Sequence, residues 1–302
     1  MPDPIISVRN FRMRFDGTAV VNDLSFDVGE GEVFGFLGSN GSGKTTTIRA
    51  LLGIYEPTGG ELLINGQRFD PTQSSFLGYL PEERGLYKKE KVIETMTFFG
   101  RLKGMSKADA RRWSLDYLES VDLGHKANDQ VGSLSGGQQQ KVQFGVTIIN
   151  NPKLLILDEP TKGLDPLNRR LMLDIIHQRV ADGATVVLVT HQMEEVERFC
   201  NRMLLLKDGV ARLYGDVDEI RRSHGSEDVH LRFTGTLPEN PALYAIAEQE
   251  GSTAILTPAD GVSGEAILDF LVGQETLDIK AFELRPPTLE DLFVDIYRES
   301  GR

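Results

Sequence analysis

Apolar and polar residues alternate along IISVRNFRMRF and again along AVVNDLSFDV, the period-two pattern of half-buried strands. Residues 5–28 are therefore read as an antiparallel sheet. VFGFLG, apolar throughout, fits a strand covered on both faces and runs straight into a glycine-rich turn. The next segment, TTTIRALLGIY, has helical spacing, with Ile48, Leu51, Leu52 and Tyr55 on one face, and EPTGG ends it. ELLINGQRF reads as a strand and turn. A helical stretch is predicted from Thr95 to Gly124; in it Trp113 and Tyr117 share a face and are assigned to a core. KLLILD and ATVVLVT are two more buried strands. Leu167 to Val180 and MEEVERFCNRM are helices, and MLLLKDGVARLYG is a hairpin turning at Asp208-Gly209.

Near Gly215 the pattern changes. VHLRF, STAIL and DIKAFEL read as strands, and ALYAIAEQEG, AILDFLV and TLEDLFVDIYRES as helices. This predicts two domains, 1–220 and 221–302, with a helical subdomain at about 85–150 in the first and the boundary in the polar stretch RRSHGSED.

The chain has 302 residues, 40% of them hydrophobic, so each domain has the material for a core. A net charge of -12 argues against a protein that coats nucleic acid, and no nucleic-acid partner is expected. The single cysteine, Cys200, excludes an internal disulfide and is assigned to packing. MPDPIISVRN has no basic segment followed by an apolar one, and runs such as Val186–Val189 fall far short of the ~20 residues a membrane helix needs. A soluble, cytoplasmic chain is expected, which would need a separate spanning partner to act at a membrane.

Gly38-Ser39-Asn40-Gly41-Ser42-Gly43-Lys44-Thr45 matches G-x-x-x-x-G-K-[ST] between a predicted strand and a predicted helix that continues with Thr46. The glycines let backbone N–H groups turn inward around phosphate oxygens, and the helix N-terminus adds partial positive charge. Lys44 can reach the β- and γ-phosphates of ATP, and Thr45 can offer its hydroxyl to Mg²⁺. LLIL followed by Asp158-Glu159 is a buried strand that ends in two acids. Phosphoryl transfer asks for one carboxylate on Mg²⁺ and one residue that orients the attacking water, roles that suit Asp158 and Glu159 in that order. Leu134-Ser135-Gly136-Gly137-Gln138 opens another predicted helix and makes a second anion-binding terminus, with Ser135 also suited to capping.

With these elements in place the sequence resembles the ABC transporter ATPase family over about residues 5–220. The loop at 38–45 looks like its Walker A, LSGGQ like its signature and LLILDE like its Walker B. Gly163-Leu164-Asp165 resembles its D-loop, and His191 after VVLVT its switch histidine. The resemblance implies a P-loop NTPase core: a mixed sheet with helices on both faces, an antiparallel β subdomain and a helical subdomain. It implies a head-to-tail dimer, expected to be a homodimer, in which two ATP molecules lie between one subunit's Walker A and the other's Ser135 and Gly137. Glu159 would then be the general base, His191 would contact the γ-phosphate, Asp165 would link the two sites and Phe15 would stack on adenine. The partner would be a membrane-spanning permease, with the chain docked at the inner face of the cell membrane. The region from Gly215 onward, closing on PPTLEDLFVDIYRE, resembles more loosely the accessory C-terminal α/β domain of exporter-type ATPases.

Two positions depart from the family pattern. Glu82, in GYLPEERGLY, stands where the family has Gln; it remains a candidate Mg²⁺ ligand and catalytic residue beside the γ-phosphate. Lys162 stands where Ser often precedes GLD. The competing reading, a soluble ABC-type ATPase of translation or DNA repair, predicts two cores or a long coiled coil, and the sequence has one core and no heptad tract.

Overall fold

The computed structural model describes residues 4–73, 75–223 and 228–299. The chain divides into two compact units, Met1–Gly215 and Asp216–Arg302. Through the first unit the elements run β1 (Ile6–Phe15), β2 (Thr18–Val28), β3 (Val33–Leu37), α1 (Lys44–Leu51), β4 (Gly59–Ile64) and β5 (Leu77–Leu80). There follow α2 (Val92–Leu102), α3 (Lys107–Ser120), α4 (Gly136–Ile148), β6 (Leu154–Asp158), α5 (Pro166–Ala181), β7 (Thr185–Thr190), α6 (Met193–Phe199), β8 (Arg202–Lys207) and β9 (Val210–Asp216).

Two sheets form. β2-β1-β4 is antiparallel, as the alternation in residues 5–28 predicts. The other has the order β5-β6-β7-β3-β8-β9, with β5, β6, β7, β3 and β8 parallel. β3, β6 and β7 are buried at every position, which is why their sequences read as unbroken apolar runs. Their adjacency brings three carboxyl ends, distant in sequence, to one edge of the sheet, where open α/β sheets hold their ligands. β8 and β9 join through Asp208-Gly209 with φ 51° and 73°, the left-handed pair of a tight hairpin. Phe26 of β2 stacks on Phe34 of β3 with ring centroids 5.6 Å apart, tying the two sheets into one core.

The helical stretch predicted at 95–124 resolves into α2 and α3. Gly104, at φ 89°, ends one, and Ser106 caps the next by accepting from Asp109 N–H at 3.1 Å. Trp113 stacks on Tyr117 at 5.3 Å, but only Tyr117 is buried; Trp113 sits half-exposed at the edge of that core. Cys200 is buried and burial pushes its thiol pKa up, as a packing cysteine requires.

The second unit opens with α7 (Val217–Ser223), so the division falls before the polar stretch at 221–228, of which residues 224–227 lie outside the described residues. It continues with β10 (Asp228–Gly235), β11 (Tyr244–Glu250), β12 (Thr253–Pro258), α8 (Gly264–Val272), β13 (Leu277–Arg285) and α9 (Leu289–Glu299). The antiparallel sheet β11-β12-β10-β13 carries its own core, including Val229, Leu231, Phe233 and Leu256 against Ile267 and Leu271 of α8. ALYAIAEQEG, predicted helical, contains strand β11. Its Ala, Glu and Gln favour helix locally, but Tyr244 and Ile246 alternate with exposed neighbours, and Gly251 at φ 56° turns the chain back to pair with β12.

Candidate active site

β3 ends at Leu37 and the chain bends through Gly38 (φ 154°), Gly41 (φ 81°) and Gly43 (φ 108°) into α1. A Cβ at Gly38 would run into the Leu206 carbonyl and Ser42 Oγ, and one at Gly43 would come within 3.0 Å of Val21. The loop therefore needs glycine at both positions for space as well as for backbone angle. Lys44 Nζ donates to the carbonyls of Gly38 (2.7 Å) and Ser39 (3.1 Å), spanning the loop, and burial lowers its pKa against the pull of Glu159, Asp158 and Glu82.

The loop frames a cleft of about 280 Å³ lined by Val20, Asn40, Gly41, Gly43, Lys44, Thr45, Thr46, Glu82, Asp158 and Glu159. A larger cleft, about 470 Å³, lies on the C-terminal sheet between residues such as His230, Arg232, Glu248 and Glu283, with no phosphate-type cradle. Chemistry rather than size singles out the smaller one.

Asp158, at the buried end of β6, accepts from Thr45 Oγ1 at 3.2 Å. Burial pushes its pKa up to about 6, with the Thr45 bond opposing and the charges of Glu82 and Glu159 adding. Thr45, Asp158 and Glu82 present oxygen donors only, a set that fits a hard cation such as Mg²⁺.

Glu159 follows with φ 51°, a conformation uncommon outside glycine, pinned by its N–H donating to Val189 O at 2.8 Å. Its Oε1 accepts from His191 N–H at 3.1 Å and lies 2.7 Å from His191 Nδ1. Its Oε2 is buried without a hydrogen-bond partner among the described residues. His191 reaches this position because β7, whose last residue is Thr190, runs beside β6.

The Glu82 carboxylate accepts from Lys162 Nζ at 2.6 Å, and this bond, with the charge of Glu82, raises the lysine pKa. Two neighbours that sequence reasoning missed fix this loop. Gln143 of α4 donates to the carbonyls of Pro81 (3.3 Å) and Glu83 (3.0 Å), and Arg49 of α1 pairs with Glu83 at 2.7 Å. A glutamine inside the apolar run VQFGVTII is the signal that could have found the first.

The other predicted residues stand outside this cleft. Ser135 caps α4 in a reciprocal box: Gln138 N–H donates to its Oγ at 3.3 Å, and its own N–H donates to Gln138 Oε1 at 2.9 Å. Ser135 is exposed at the start of α4, with Gly136 and Gly137 behind it and Arg84 packed on Gly136. Asp165 caps α5, accepting from the N–H groups of Leu167 and Asn168, bonds that hold its carboxyl below the usual range. Phe15 closes β1, 40% exposed, edge-on to Tyr55 at 5.4 Å.

Over 293 residues, spanning 97% of this chain and 99% of the relative, the sequence is 40% identical to an uncharacterised ABC transporter ATP-binding protein of Methanocaldococcus jannaschii. The chain belongs to the family of ABC transporter ATP-binding proteins. Residues 21–162 match the ABC transporter family, and 215–297 match the C-terminal domain of DrrA1-3-like ATP-binding proteins. Nod factor export ATP-binding protein I of Burkholderia lata is 35% identical over 311 residues, 100% of this chain and 99% of that one. Among solved structures, an ATP-binding subunit of an ABC transporter superposes with a TM-score of 0.68 at 32% identity, covering 72% of this chain and 92% of its own. CbiO1 of Clostridium perfringens, part of the ABC transporter complex cbiONQ, gives 0.63 at 25% identity over 73% and 94%. Subunits of this family bind ATP and work with membrane permeases. Among the described residues no helix of this ABC subunit is long and apolar enough to cross a membrane.

Proposed function

We propose that this ABC subunit hydrolyses ATP as one half of a head-to-tail dimer and thereby drives export through a permease, to which it docks at the inner face of the cell membrane. The observation that carries hydrolysis is the pair Glu159–His191: one carboxylate oxygen is held by the histidine while the other, buried at the cleft, is left to accept a proton.

In this reading the glycine loop and Lys44 bind the phosphates, and Thr45, Asp158 and Glu82 hold Mg²⁺. When bound, the ion neutralises charge on the phosphate oxygens. Glu159 Oε2 takes a proton from water as its oxygen forms the bond to the γ-phosphorus and the bond to the β-phosphate bridging oxygen breaks. His191 keeps Glu159 aligned and contacts the γ-phosphate; the products are ADP and phosphate.

The dimer is supported by the second cradle. Ser135, Gly136 and Gly137 open α4 outside their own cleft, with Ser135 exposed and so within reach of a nucleotide held by another copy. Phe15 is the proposed adenine platform and Asp165 the proposed link between sites. Docking to a permease is supported by an exposed aromatic group just beyond the Glu82 loop: Tyr87 and Phe98 are 55% and 45% exposed and both contact the ring of Phe99. Export is favoured by the Nod factor export relatives. The accessory unit, proposed to span 221–302, is assigned no catalytic step.

The test is phosphate release. Wild-type chain should turn over, and Glu159→Gln should bind ATP with unchanged affinity while losing about 100-fold or more in rate. Equal rates for the two would sink the assignment of Glu159.

A further inference from the structure

The two residues that depart from the family pattern, Glu82 and Lys162, are bonded to each other: Nζ to Oε1, 2.6 Å. They come from different loops, one after β5 and one after β6, that meet at the mouth of the phosphate cleft. Glu82 lines that cleft with Asp158 and Glu159, so three carboxylates face a space built for a polyanion, and Lys44 is the one cation among the lining residues. A neutral side chain at 82 would need no counter-charge, whereas a carboxylate there does.

Folding does not account for the pair. Its side chains are 57% and 40% exposed, and a pair this open to water adds little to stability. At the cleft the same charge matters more, because an uncompensated Glu82 repels an incoming triphosphate.

We propose that Lys162 is a positioning residue: it neutralises Glu82 and ties the two loops together at the phosphate cleft, so that the lysine cannot be exchanged while the carboxylate at 82 remains. This rests on the nucleotide reading above.

The experiment is a double-mutant cycle read by equilibrium titration with a fluorescent ATP analogue, with EDTA and then with Mg²⁺, on wild type, Lys162→Ser, Glu82→Gln and the double variant. Lys162→Ser should weaken Mg²⁺-free binding about 5-fold, the upper end for an exposed charge pair. The loss should be smaller with Mg²⁺ and should shrink as salt is raised. In EDTA the double variant should return to within about twofold of wild type, because removing both charges restores the balance and no metal ion calls on Glu82 there. Thermal midpoints of all four should agree within about 2 °C.

In EDTA, a double variant as weak as Lys162→Ser, or wild-type affinity in Lys162→Ser, would overturn the pairing while leaving the nucleotide site intact. A lowered midpoint in Lys162→Ser that Glu82→Gln does not repair would also overturn it, by making the lysine structural. A wild-type chain that binds no ATP would bring down the nucleotide reading and this proposal together, a failure visible before any variant is compared.

Discussion

Asp158 is the residue at which function and stability pull apart. Its carboxyl titrates at about 6 instead of 3.8 because burial disfavours the anion. The folded chain therefore holds this proton more tightly than the unfolded chain does, and the group's contribution to stability falls as pH rises from about 4 through 6. Asp158→Asn removes that dependence and can still accept from Thr45. In urea unfolding the variant should match wild type near pH 4 and exceed it by about 2 kcal/mol at pH 7. A constant difference at both pH values would mean that burial does not destabilise this carboxylate. The identities of Lys44, Thr45, Asp158 and Glu159 were legible in the sequence because each sits at a fixed offset in a motif. The partner of Lys162 was not: residues 82 and 162 belong to different loops, and only the alignment of β5 beside β6 brings them together.

At the scale of elements, α3 and α4 pack closely at Gly145. A Cβ on Gly145 would strike the Tyr117 ring and come within 2.8 Å of Met96 Cε, and the Tyr117 hydroxyl is tethered to Lys141 O at 2.7 Å. Gly145→Ala gains up to ~1 kcal/mol of helix propensity but forces the ring to move, at about 1–3 kcal/mol. The variant should be less stable by up to about 2 kcal/mol in chemical denaturation; a more stable variant would show that the helices can separate freely. Apolar runs identified the buried strands because burial on both faces leaves no solvent-facing polar position to interrupt them. The same logic fails in the second unit. There β11 is largely exposed, so composition pointed to helix while the pairing with β12 decided for strand. Thr95–Gly124 likewise concealed a break, made by the left-handed backbone of Gly104 and the side-chain cap of Ser106.

For the whole molecule, the central observation is that the chain carries two glycine-rich helix starts, at α1 and α4, and only the first belongs to its acid-lined cleft. The sequence motifs displayed both, but their separation in a single copy is a property of the fold. Ser135→Arg should leave the ATP affinity of the monomer within about twofold and cut hydrolysis about 100-fold, since in the proposed dimer the donor it removes would act on the partner's nucleotide. Parallel loss of binding and turnover would place Ser135 at its own chain's site. The most direct test of the account is sedimentation velocity of Glu159→Gln with and without MgATP. A monomer should become a dimer on ATP addition and stay so, because binding is intact and the proton acceptor is gone. A species that remains monomeric at saturating MgATP would contradict it.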